Sequence, residues 1–311
     1  MTDRQPADQV SAVPDRSTLR LALVVGGLVL AVLLGFGLGR INGGPSAAVG
    51  AASVPGDHSH PAGTGAHEHG GGQGVAAETR GLSVSSAGYT LAPAGVEFAP
   101  GRPGELRFQV RDAQRRPVTR FAVVHDKPMH LIVVRRDLTG YQHLHPTMAA
   151  DGTWSMPLTL AEPGVWRAYA DFTALADDGR QTAATLGVDL VVPGGYAPRP
   201  LPAAATSATV DGFTVARRGD PAVGVSAPLT FRFTAPDGGA AALERHLGAY
   251  GHLVALREGD LGYLHVHPEP ELVDGTPTFW VTTPATGRYR LYLDFKVGGV
   301  VRTAEFTVDV P

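Results

Sequence analysis

Two stretches of this chain, "HLIVVRRDLTGYQHLHP" (130–146) and "HLVALREGDLGYLHVHP" (252–268), align over seventeen residues without a gap. They share the leading His, the Leu after it, an Arg, a Gly-Tyr pair, two later His and the closing Pro. Downstream, "GVWRAYADF" (164–172) answers to "GRYRLYLDF" (287–295). This repeat constrains the fold more than any composition does, because whatever unit the first copy builds, the second must build again.

The unit reads as β-structure. "GELRFQV" (104–110), "MHLIVVRR" (129–136), "TWSMPLTL" (153–160), "VWRAYADF" (165–172) and "ATLGVDLVV" (184–192) are β-branched or aromatic runs bounded by Pro, Gly and Asp. After the proline-rich "PGGYAPRPLPAAATS" (193–207) the texture returns in "PLTFRFTAP" (228–236), "GHLVALREG" (251–259), "TFWVTT" (278–283), "RYRLYLDF" (288–295) and "TAEFTVDV" (303–310). Short strands at this spacing, with no long helical pattern, predict an all-β fold of two tandem immunoglobulin-like antiparallel β-sandwiches. The expected boundaries are 81–193 for the first, 194–207 for the linker and 208–311 for the second.

The N-terminal part predicts the address. "LALVVGGLVLAVLLGFGLG" (21–39) is uncharged and about 28 Å long as a helix, enough to cross a bilayer core. Arg4, Arg16 and Arg20 precede it, and after Arg40 the next basic residue is Arg80. The positive-inside rule then keeps residues 1–20 in the cytoplasm and sends the remainder outside, on a single-pass cell-membrane anchor. The alternative is a cleaved signal, with small residues near 45–52 as the cleavage site, and a secreted product. Residues 40–80 are rich in Gly, Ala, Ser, Pro and His without apolar periodicity, and read as a flexible tether.

Composition enters as a filter. The chain has 26 basic and 29 acidic residues, a formal net charge of −3, so nothing suggests a nucleic-acid partner. It has no cysteine, which excludes disulfides, thiolate zinc sites, iron–sulfur clusters and cysteine nucleophiles. The twelve histidines, by contrast, fall into three groups of four. The tether holds His58, His60, His67 and His69; the first repeat unit holds His125, His130, His143 and His145; the second holds His246, His252, His265 and His267.

In a strand, residues two apart share a face, so His143 and His145, or His265 and His267, can meet one ion. A hairpin turn at "RDLTG" with Arg136 opposite Tyr141 sets Val134 opposite His143 and brings His130 diagonally beside His145. The same register brings His252 beside His265 and His267. The expectation is thus two three-histidine sites, one per sandwich, with His125 and His246 as further ligands from the preceding segments. Neutral imidazoles suit Cu²⁺ or Zn²⁺, and affinity is expected to fall as pH drops through about 6.5. Met129, next to His130, adds a thioether that would favour Cu(I), unless it packs in the core. Asp171 and Asp294, in the shared Y-x-D-F, are the carboxylates expected to orient the ligands; the alternative is a salt bridge to Arg135 or Arg257. The tether histidines are expected to bind transition metals weakly.

The stretch "PMHLIVVRRDLTGYQHLHP" (128–146), with "DGTW" (151–154) and "PGVWRAYADF" (163–172), resembles the exported, copper-associated immunoglobulin-like domains of bacteria of the YtkA-like family. The resemblance covers most of the first sandwich and, more loosely, the second. It implies a sandwich outside the membrane concerned with copper or another metal. The histidine-rich tether and the methionine-free second sandwich depart from that pattern.

The functional expectation is a membrane-anchored extracytoplasmic protein that captures, buffers or hands on copper, with zinc as the alternative. A different class, a non-catalytic structural or interaction module of the cell envelope with buried histidine networks, accounts for the same residues. An enzyme is not expected, since neither a nucleophile motif nor a phosphate loop is present. No protein partner follows from the residues.

Overall fold

The structure, a computed structural model, describes residues 80–311 apart from His265, and of His267 the backbone alone. The expected anchor (21–39), the expected cytoplasmic segment (1–20) and the tether up to residue 79 lie outside the described residues.

Every regular element among the described residues is a strand. The N-terminal half holds β1 (Ser85–Ser86), β2 (Tyr89–Pro93), β3 (Pro103–Arg111), β4 (His130–Arg135), β5 (Gln142–Leu144), β6 (Thr147–Met148), β7 (Thr153–Thr159), β8 (Gly164–Leu175) and β9 (Gln181–Val192). The C-terminal half holds β10 (Ser207–Val210), β11 (Phe213–Arg218), β12 (Ser226–Thr234), β13 (His252–Arg257), β14 (Tyr263–Leu264), β15 (Val266–Pro268), β16 (Thr278–Thr282), β17 (Gly287–Val297) and β18 (Val300–Val310). Each half is a sandwich of two antiparallel sheets with the same topology. The orders are β1-β2-β3-β7-β6 and β5-β4-β8-β9 in one, β10-β11-β12-β16-β15 and β14-β13-β17-β18 in the other.

The sequence repeat is therefore a structural repeat, strand for strand. Among the described residues no helix is long and apolar enough to cross a membrane.

Each sandwich has its own core, in which β4 contributes Leu131 and Val133 to one and β13 contributes Leu253 and Ala255 to the other. A third apolar cluster joins the halves. Ile132, Val134, Leu138 and Tyr169 of the N-terminal half pack with Val254, Leu256, Leu261, Tyr263 and Tyr292 of the C-terminal half. The strand period of two accounts for the division: alternate residues of β4 and β13 face inward to their own sandwich and outward to the other. Every residue of β4 is buried as a result. A sheet covered on both faces needs apolar residues at every position rather than at alternate ones, which "HLIVV" and "HLVAL" supply.

The contact is reciprocal. Tyr169 donates its hydroxyl hydrogen to the carbonyl of Leu261, and Tyr292 donates to the carbonyl of Leu138 at 2.6 Å. Tyr141 stacks on Tyr292 with ring centres 4.0 Å apart. Like residues meet like residues across the junction, as in a two-fold interface.

Arg80, expected at the end of the tether, belongs to the fold. Its N–H donates to the Tyr263 carbonyl at 2.9 Å and its carbonyl accepts from Tyr263 at 3.0 Å.

Candidate metal centre

The strands deliver the histidines to one place. His130 opens β4 on the outward face, and Ile132 pairs with His143 of β5. This register differs from the expected one by two residues, since Ile132, not Val134, stands opposite His143. The turn closes over Leu138 and Gly140, both with positive φ; a Cβ on Gly140 would stand 2.5 Å from the Trp166 ring. A slip of two leaves every side chain on its expected face, where a slip of one would have reversed them all. The C-terminal half carries the same shift, with Ala255 opposite Leu264. After β5 the chain crosses from one sheet to the other, β5 pairing with β4 and β6 with β7. His145 and Pro146 make the crossing.

His130, His143 and His145 each bring a ring nitrogen within 4.8 Å of the others. Ring centres are 5.3 Å apart for His130–His143, 5.0 Å for His130–His145 and 4.8 Å for His143–His145. Their bonding is directional. His130 Nε2 lies 3.0 Å from the Val124 carbonyl, and His143 Nδ1 lies 2.8 Å from Asp294 Oδ2. The inner nitrogens, His130 Nδ1 and His143 Nε2, face each other at 3.0 Å. These three contacts need three hydrogens, and two neutral imidazoles bring two. A third proton, or a cation between the inner nitrogens, resolves the deficit. His145 Nε2 is buried with no hydrogen-bond partner.

Burial favours the neutral form of His130 and of His145. It lowers His130 to about 4 and His145 to about 3, with smaller contributions of like sign from neighbouring histidines. Burial likewise lowers His246, and His252 well below the ordinary histidine value. For His130 and His145, proton competition with a metal thus falls below the range near 6.5 expected from free histidine.

Two residues of the expected second site, His252 and Asp294, stand beside the first histidine group. Asp294, from the C-terminal half, accepts from His143 of the N-terminal half and from the Thr303 hydroxyl at 2.6 Å. His252 stands with its ring centre 5.4 Å from those of His130 and His143, and 4.7 Å from that of His125. Asp171, paired across from His130 in the ladder, accepts from Thr185. The arginine alternative fails for both carboxylates: Arg135 is held by Asp137 and Glu162, and Arg257 by Asp260. A chamber of about 70 Å³ between the halves is lined by His125, His130, His143 and His252.

Met129 is not a ligand candidate; it is fully buried among the core residues of the N-terminal sandwich. As the odd-numbered neighbour of His130 it points to the other side of the sheet. His125 and His246 are not counterparts. Val124 and Lys127 bracket a turn with positive φ at His125 and Asp126, as His246 and Ala249 bracket one at Leu247 and Gly248. His246 thus matches Val124, and His125 matches Leu247; the two histidines stand at different distances before the leading histidine of their repeats, so they are not equivalent. Of the second histidine pair, His265 lies outside the described residues and only the backbone of His267 is described, in β15. The tether residues His58, His60, His67 and His69 also lie outside them. The sequence argument missed the role of Val124, because a backbone carbonyl carries no residue signature.

The family described as "Domain of unknown function (DUF8832)" matches residues 83–190 and again residues 208–311. No curated protein matches the chain. Among solved structures, FdeC, an Escherichia coli adhesin, is 17% identical, with a TM-score of 0.26 over 74% of this chain and 66% of that one. Invasin, a bacterial integrin-binding protein, is 16% identical, with a TM-score of 0.19 over 71% and 39%. Domains 4–9 of the surface layer protein SbsC are 11% identical, with a TM-score of 0.21 over 71% and 31%. Likenesses at such TM-scores carry no argument about this chain.

Proposed function

The chain belongs to the DUF8832 family, once through each half, and from that premise we propose that it is an extracytoplasmic metal-binding protein that captures, buffers or hands on a transition-metal ion. The observation that supports this reading is the pair of inner nitrogens of His130 and His143, 3.0 Å apart. The outer nitrogens of both rings are held by acceptors, Val124 and Asp294. Metal-bound imidazoles are oriented in this way, each donating its second N–H to a carbonyl or carboxylate. The buried, partnerless His145 Nε2 supplies a third nitrogen.

Three neutral imidazoles favour a borderline divalent ion, and the order of divalent affinities puts copper(II) ahead of zinc. With Met129 in the core the thioether argument for Cu(I) lapses. The function is binding rather than catalysis. Residues 21–39 anchor the protein in the cell membrane with both halves outside; secretion after cleavage is the alternative.

Metal content and calorimetric titration of the full chain test this, in a variant with His58, His60, His67 and His69 changed to Ala so that the tether does not contribute. Tight binding of Cu²⁺, abolished by H143A/H145A with the fold retained, is the expected result. A chain that binds neither Cu²⁺ nor Zn²⁺, and unfolds when the two histidines are replaced, would establish a structural envelope module with a buried histidine network. For the topology, protease added to intact cells should remove both sandwiches; full protection overturns the anchor.

A further inference from the structure

We propose that the two halves share a single metal site: His252 of the C-terminal half completes the coordination of the ion held by His130, His143 and His145, and Asp294 orients His143 across the junction. One ion per chain then fastens the sandwiches together. This rests on the metal-binding reading and goes beyond it, because it assigns the stoichiometry and makes occupancy depend on the docking of the halves.

The geometry carries it. An imidazole nitrogen binds such an ion at about 2.0–2.1 Å, so four tetrahedral imidazoles have ring centres about 5.2 Å apart. Within the triad the ring centres are 4.8, 5.0 and 5.3 Å apart. His252 stands 5.4 Å from both His130 and His143; its nitrogens lie outside the group of three already within 4.8 Å of one another, so its ring moves inward to join the ion.

His252 also needs a partner. It is 9% exposed, and its Nε2 is buried without a hydrogen bond. Its counterpart in the repeat, His130, gives the corresponding nitrogen to the Val124 carbonyl at 3.0 Å. The missing bond is therefore peculiar to His252 and not imposed by its place in the fold. A buried ring nitrogen with no partner is destabilising unless something occupies it, and a cation in the adjoining chamber would. At about 70 Å³ the chamber admits an ion with a bound water or two, each water taking about 30 Å³.

Asp294 supplies the second link. It and His143 have side chains 4% and 6% exposed, and their 2.8 Å contact spans 151 residues of sequence. Separating the halves would remove from His143 the carboxylate that fixes its ring, and from the ion its fourth nitrogen. By linkage, an ion that binds only the docked form shifts docking in its favour, about 100-fold at 100 times its dissociation constant.

The test uses the full chain with the four tether histidines replaced by Ala, titrated with Cu²⁺ and with Zn²⁺. One ion per chain is expected, with H252A and D294N each weakening binding at least ten-fold. The metal should also slow amide exchange at Ile132 and Val254, on facing strands of the junction, in the wild-type halves but not in H252A. If His252→Ala fails to fold, His252→Gln, which keeps a polar side chain of similar size, gives the same reading. Two ions per chain, or unchanged affinity in both variants, would show that the halves bind separately and overturn the shared site while leaving metal binding intact. Absence of any binding by the parent chain would overturn the metal-binding reading beneath it.

Discussion

The strands β4 and β13 begin with histidines in equivalent places, written by the same repeat, and they are bonded differently. His130 sets Nε2 against the Val124 carbonyl and Nδ1 against the inner nitrogen of His143. His252 leaves Nε2 without a partner. The carboxylates are alike in accepting from a threonine of their own half, Asp294 from Thr303 and Asp171 from Thr185; Asp294 also accepts from His143 across the junction, and His265, the counterpart of His143, lies outside the described residues. Among the described residues, the leading histidines of the two copies are thus bonded differently. A repeat conserves backbone register and the face on which a side chain stands, but what that side chain meets depends on its surroundings.

The comparison can be broken most forcefully at the junction itself. Ile132, fully buried in the shared cluster, changed to Asp would put an unpaired charge among apolar side chains. A loss of several kcal/mol, on the order of 3–5, is expected by urea denaturation. Val254→Asp, its counterpart across the junction, should cost a similar amount; a loss confined to one of the two would mean that the halves do not depend on each other equally.

Acid provides the next largest effect. Burial lowers His130 to about 4 in the folded protein, against about 6.5 unfolded, so between those values the unfolded chain binds more protons. Stability should therefore be full above about 6.5 and fall as pH drops toward 4, by about 3 kcal/mol for this group alone. His252, lowered in the same direction, adds to the loss. Urea titrations of metal-free protein across this range check the sign, and a flat profile would contradict the burial of these rings.

The carboxylates sharpen the asymmetry. Asp294→Asn should weaken metal binding about 10–100-fold, the usual effect of removing an orienting partner, whereas Asp171→Asn should change it little. Equal losses in a calorimetric titration would restore the symmetric picture. The smallest effects are expected at the reciprocal tyrosines. Tyr169→Phe and Tyr292→Phe each remove one buried hydrogen bond across the junction, worth about 1 kcal/mol. Their costs should match, because the contacts are related by the repeat.

The sequence carried the local terms. Strand periodicity, turn residues and the repeat pointed to the two sandwiches and to a shared face for His130 and His143, because side-chain alternation is a property of the backbone alone; His145 lies beyond β5, where the chain crosses to the other sheet. The hairpin register differs by two residues from the one the spacing predicts, and the face is unchanged because an even slip preserves it. Met129 was ambiguous for the same reason that it was resolvable: its odd position relative to His130 already assigned it to the other side of the sheet.

Tertiary structure decided which outward faces meet. The unbroken apolar text of β4 and β13 showed that both sides of each strand would be covered, but not by what. That Asp294 accepts from His143, and that the His252 ring stands beside those of His130 and His143, follows from packing two sheets face to face. No pattern along the chain encodes a contact 151 residues apart, because it depends on how two finished surfaces fit.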